Sequence, residues 1–166
     1  MKRSIMVAAW FAVVSVIGFA ALAQTTISVL FDDGVTADLS ARQAKAQTQL
    51  AEWMKADLVR VFARYAKSGY EAQLIEKQQD FKPGPDNYLL NVKITEYKSG
   101  SKAARIVVGY GAGGLTLKVH YELSDGGKKE ILSKDDSVFS GREWINAARK
   151  LNENMAKDVT GKLGSK

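Results

Sequence analysis

Apolar and polar positions divide this chain into stretches of strand period and stretches of helix period. Residues 25–31 are β-branched and apolar, and Asp32-Asp33-Gly34 closes them with turn chemistry, which predicts a first strand. Further on, Leu50, Trp53, Met54, Leu58, Val61, Phe62 and Tyr65 recur at steps of three and four. Ser40 and Gln43 stand ahead of them at capping-box spacing, so a long amphipathic helix is predicted, ending at Ser68-Gly69. Residues 70–77 return to strand character.

Both prolines fall within residues 80–87, which predicts a loop between strands. Beyond it Tyr88, Leu90, Val92 and Ile94 share one face of a strand, with Asn91, Lys93 and Thr95 on the other. A stricter alternation puts Leu115, Leu117, Val119, Tyr121 and Leu123 inward and Thr116, Lys118, His120 and Glu122 outward. Asp125-Gly126-Gly127 is hairpin chemistry leading into an edge-like strand over residues 129–138. Ser140 and Glu143 repeat the capping spacing, and Trp144, Ala148, Leu151, Met155 and Val159 mark the inner face of a closing helix that frays over 161–166. This order predicts an α+β fold of two layers, a mostly antiparallel four- to five-stranded sheet with two helices on one face.

The N-terminus changes where this domain is expected to work. Met1, Lys2 and Arg3 precede an apolar run over residues 5–22 that closes on Ala21-Leu22-Ala23, the order of a signal peptide. Cleavage is expected between Ala23 and Gln24, giving a signal peptide over 1–23 and a single envelope domain over 24–166, periplasmic or secreted. The run is also long enough to span a bilayer, so an N-terminal anchor is the competing reading. A length of 166 residues suits one domain with a real core. The absence of cysteine excludes a lipid-modified N-terminal cysteine, disulfides, a thiolate metal site and a cysteine nucleophile. Losing Lys2 and Arg3 lowers the formal charge from +6 to +4. With scattered cations, that charge matches a membrane surface, a polyanion of the envelope or an acidic partner protein better than nucleic acid.

Between the two best strands lies the stretch that ordinary hairpin loops do not resemble. Arg105, Ile106, Val107, Val108, Gly109, Tyr110, Gly111, Gly113 and Gly114 combine a charge, an apolar patch and close-spaced glycines. Glycines at such spacing admit another backbone, a ring or a lipid at short range. Three readings stay open: a tight flap packed on the sheet, a docking arm for self-association, an envelope protein or a membrane surface, and a ligand-binding loop. A phosphate loop is rejected, since no Gly-Lys-Ser/Thr follows and a strand, not a helix, comes next.

Asn87-Tyr88, Gly100, Ala103-Ala104-Arg105, Gly109-Tyr110-Gly111-Ala112-Gly113, the strand 115–123 and Gly126 together resemble a family of bacterial exported proteins known as domain of unknown function 4410. The likeness covers nearly all of residues 24–166. It implies a small envelope domain, often lipid-anchored in relatives, with no established activity and no catalytic residues to carry over. This chain departs from that pattern in lacking the lipobox cysteine.

The remaining candidates have plainer explanations. His120 is the one histidine, and with no Gly-x-Ser-x-Gly and no cysteine it reads as a solvated side chain beside Lys118 and Glu122. Asp32-Asp33 and Asp135-Asp136 lack calcium-loop spacing, and neighbours on a strand point oppositely. Glu96 and Glu122 are carboxylates that could approach across paired strands. Trp53 and Trp144 fall on apolar helix faces, and Lys128-Lys129 at a hairpin tip. The reading is therefore a non-enzymatic envelope module without cofactor or metal, binding a partner or itself through residues 105–114. A binder of anionic envelope polymer or glycolipid stands second and an enzyme third.

Overall fold

The computed structural model describes residues 24–99, 114–126, 129–140 and 143–165. The signal-type stretch 1–23 and residues 105–113 of the glycine-rich segment lie outside them; Gly114 lies within. In chain order the elements are β1 (Thr25–Asp32), α1 (Ala41–Ala63), β2 (Tyr70–Ile75), β3 (Asn87–Lys98), β4 (Leu115–Ser124), β5 (Glu130–Ser140) and α2 (Trp144–Gly164). They form the expected α+β architecture, with a five-stranded mixed sheet in the order β2-β1-β3-β4-β5 and two helices packed together against it. No described helix is long and apolar enough to cross a membrane.

β3, β4 and β5 form an antiparallel meander, whereas β1 runs parallel to both β2 and β3. Registers Ile27↔Tyr88, Val29↔Leu90, Leu90↔Leu123 and Val92↔Tyr121 align the apolar faces of three strands. The predicted inward residues of β3 and β4 are accordingly buried, together with Leu50, Met54, Leu58, Val61 and Phe62 of α1 and Leu151, Met155 and Val159 of α2. On the helix side Asp158 of α2 accepts from Tyr121 Oη and Lys134 Nζ, both at 2.6 Å. Burial first, and then the bond to Asp158, raises the Tyr121 phenol above its ordinary range.

Several expected boundaries move, each for a local reason. The α1 cap forms as expected, with Ser40 Oγ accepting from Gln43 N and Gln43 Oε1 from Ser40 N. The helix nevertheless ends at Ala63, because Arg64 N and Tyr65 N bond back three residues to Val61 and Phe62 and tighten the turn. A 3-10 turn (Ala66–Ser68) then carries the chain to Gly69, whose φ is +83°. β2 stops two residues short of Lys77, where Asp80 Oδ2 accepts from Lys77 N and starts a second turn. Ser140 lies in the ladder opposite Leu115, so the closing helix starts later than the Ser140 spacing implies; Glu143 is its N-cap and makes no side-chain capping bond. Residues 161–164 stay helical, since Leu163 packs on the core and Tyr70 Oη donates to Thr160 O. A bulge between Ile94 and Glu96 sets Glu96, rather than Thr95, opposite Lys118.

Candidate functional site

β3 and β4 end where the glycine-rich segment leaves and returns, at Ser99 and Gly114. Glu96 sits at this foot between Lys98 and Lys118, each 2.5 Å away, and these bonds hold its carboxyl down at about 2, Lys118 contributing most. Phe139 of β5 lies against Gly114, where a Cβ would come within 2.3 Å of the ring. Phe139 is 63% exposed on the last strand of the sheet. Beside the foot a hollow of approximately 260 Å³ opens between Arg42 and Gln43 of α1 and Tyr97, Lys98 and Ser99. This end of the sheet is therefore basic as well as partly apolar.

The opposite end carries a larger feature. On the outer face of the sheet, away from the helices, the chain between β2 and β3 covers Leu89, only 3% exposed, and bounds a half-open cleft of approximately 800 Å³. Leu89 and Asn91 of β3 and Ser124 of β4 line its base, Phe81 and Pro83 its side. The charged residues of the lining are Lys77, Glu122, Asp125 and Glu130, three carboxylates against one ammonium. Asn91 Oδ1 is buried there without a hydrogen-bond partner.

Other candidate residues meet partners that weaken a catalytic reading. His120 is bridged on the outer face, Nε2 to Glu122 at 3.0 Å and Nδ1 to Asp135 at 2.9 Å. Glu122 first and Asp135 second raise its pKa above the ordinary value, and both nitrogens donate when the ring is charged. Glu96 and Glu122 are not brought together, since Glu96 faces Lys118 and Glu122 faces Asn91. Asp32 and Asp33 hold the turn after β1 by accepting from Gly34 N and Val35 N, and Asp33 also accepts from Thr48. Asp135 and Asp136 diverge, the second accepting from Asn154 on α2. Lys129 is exposed at the β4–β5 turn, and Lys128 lies outside the described residues.

Trp53 and Trp144 meet edge to face, 5.6 Å between centroids, at the rim of the helix layer and not within the core. Arg149 lies 5.5 Å over Trp53 and bonds to Asp57. Elsewhere Lys93 meets Asp32, Lys134 meets Asp158 and Arg64 meets Glu153. Among the described residues these four cations are each held by an acid at a separate place on the surface. Sequence reasoning missed the cleft altogether, and Asp135 as a partner of His120.

A model of the family described as Domain of unknown function (DUF4410) matches residues 31–141. Among solved structures, the PelC dodecamer from Paraburkholderia phytofirmans is 13% identical, with 81% of this chain and 86% of that one covered at a TM-score of 0.50. A point variant of the same dodecamer is 11% identical, with 86% and 90% covered at a TM-score of 0.51. Rare lipoprotein B from Shewanella oneidensis, 13% identical over 84% of this chain and 94% of that one, overlaps more loosely at 0.32. The PelC likeness shows a shared fold. None of the curated proteins matches the sequence.

Proposed function

The chain belongs to the DUF4410 family, and we propose that it is an exported, non-catalytic envelope module that associates with further copies of itself through residues 105–114 and the sheet edge beside them. Export rests on the signal order of residues 1–23, cleaved at Ala23 or kept as an anchor. The observation that carries self-association is the Phe139 ring, left 63% exposed on the outermost strand at the foot of the segment. Covering such a ring in a contact returns about 1–2 kcal/mol of hydrophobic free energy per copy. The opposite edge strand, β2, exposes Leu74. Unlike edges join head to tail, and repetition of that contact closes a ring or extends a filament. That the PelC structure sharing this fold is a dodecamer supports the reading.

The test compares the chain from Gln24 with a version in which residues 105–114 are replaced by an Asn-Gly turn, measuring mass in solution and thermal unfolding together. The expected result is a cooperative transition within a few degrees of the parent and loss of the associated species. A parent that is monomeric at every concentration overturns the proposal. So does a replacement that lowers the transition by tens of degrees while the mass stays unchanged, because the glycines would then serve packing.

A further inference from the structure

We propose that the acidic cleft on the outer face is the receptor for residues 105–114 of a second copy, so that each protomer both inserts a segment and receives one. This inference rests on the self-association reading and names the surface that the segment meets. The strand ends that the segment joins and the cleft lie at opposite ends of one sheet. The segment joins the strands beyond Lys98↔Thr116, whereas the cleft is built around Asn91↔Glu122 and Leu89↔Ser124. From Lys98 back to Leu89 the strand spans roughly 30 Å at its usual rise.

A protomer's own segment is badly placed to fill its own cleft. The residues between Ser99 and Gly114 must go out and return, which limits the reach to about 24 Å even fully extended. Doubled back along the outer face, the tip would reach no farther than the near edge of the cleft at Asn91, short of Leu89, Ser124 and Glu130. A neighbouring copy has no such constraint.

Charge and shape select the same partner. Residues 98–114 contain Lys98, Lys102 and Arg105 and no acid. The cleft offers Glu122, Asp125 and Glu130 against Lys77, an acidic pocket on a chain of formal charge +6. Its apolar wall, Phe81 and Pro83, matches Ile106, Val107 and Val108 in chemistry, and its volume lies within the usual range of a binding site. Glycines at 109, 111 and 113 permit backbone to approach a wall closely. Because the two surfaces differ, the contact is heterologous and propagates from copy to copy.

The experiment is a charge exchange in the chain from Gln24, read as mass against concentration, with circular dichroism and thermal unfolding as the check on folding. K102E/R105E reverses the segment, and E122K/E130K reverses the cleft. Each variant alone is expected to raise the dissociation constant at least tenfold. Mixing the two in equal amounts should restore assembly, since each reversed surface then meets its complement on the other variant, and a misfolded variant could not be rescued in this way. Carrying all four changes in one chain should restore it as well. If the parent associates and neither variant alters its mass, the cleft is not the receptor, while self-association through the sheet edges still stands. Variants that associate poorly and gain nothing on mixing also overturn the assignment. A monomeric parent overturns this inference together with the reading beneath it.

Discussion

Replacing Asp57 with alanine should destabilise the fold by about 2–3 kcal/mol, a large effect for one carboxylate in the middle of a helix. Asp57 is 3% exposed in the seam between α1 and α2. Its Oδ1 accepts from Arg149 Nη2 at 3.2 Å and Nε at 3.4 Å, and its Oδ2 from Asn152 Nδ2 at 3.1 Å. Hydrogen bonds to a charged group contribute about 1.5–3 kcal/mol each, and the variant loses those from two partners. Against this stands the desolvation that the carboxylate no longer bears. The groups left behind limit the penalty, because Arg149 is exposed enough to rehydrate and Asn152 keeps its bond to Met54 O. Arg149→Ala should cost more, about 3–5 kcal/mol, since it strands a buried carboxylate on Asn152 alone and removes the cation over Trp53. Urea unfolding at constant m-value measures both, and the double variant should cost at least about 1 kcal/mol less than the sum. Singles within about 0.5 kcal/mol of the parent, or strict additivity, would refute this account of the seam.

Gly34→Ala should lose at least about 2 kcal/mol in the same assay, because φ is +65° and the new Cβ would stand 1.8 Å from the Ile94 carbonyl oxygen, a backbone atom that cannot move aside. Gly114→Ala meets first the exposed Phe139 ring, a side chain that can swing away, so stability should change by less than about 1 kcal/mol while association, followed by light scattering, weakens. His120→Asn should flatten the pH dependence of stability. Its folded pKa is raised, so the histidine's contribution is fully present below the unfolded value of about 6.5 and is lost as pH rises through the folded pKa. With the side chain 31% exposed, that contribution is no more than about 1 kcal/mol. Parent and variant should therefore converge in stability on the alkaline side, and a gap that widens with pH would contradict the bridge.

The parts of the fold legible in the sequence are those set by one strand or one helix at a time. Alternation on β3 and β4 named their buried residues, since a half-buried strand leaves little freedom in which side chains face inward. Alternation is blind to strand direction, however, so it could not show β1 lying parallel between β2 and β3. The bulge before Glu96 and the ladder bond that takes Ser140 depend on neighbouring strands in the same way. Asp57 was readable in part. It falls seven residues after Leu50 on the buried stripe of α1, and Asn152 falls four after Ala148 on that of α2. A polar residue at a core position on each of two helices is a signal that they meet there, because burial demands a partner.

The candidate site was half legible for a related reason. Residues 105–114 stood out by composition, which needs no tertiary knowledge, whereas the cleft exists only because the chain between β2 and β3 crosses the outer face of strands distant in sequence. Pro83 and Pro85 announce that this stretch is a loop but not where it rests. Once placed, it leaves the outer face, which no described helix covers, with an acidic end and a basic end: Glu122, Asp125 and Glu130 lie at the cleft, while Lys98 and Lys118 flank Glu96 at the foot of the segment. Two ends of opposite sign on one face repel when copies meet like to like and attract when they meet head to tail. The polarity thus favours a single direction of contact, and it does so before any apolar surface is buried.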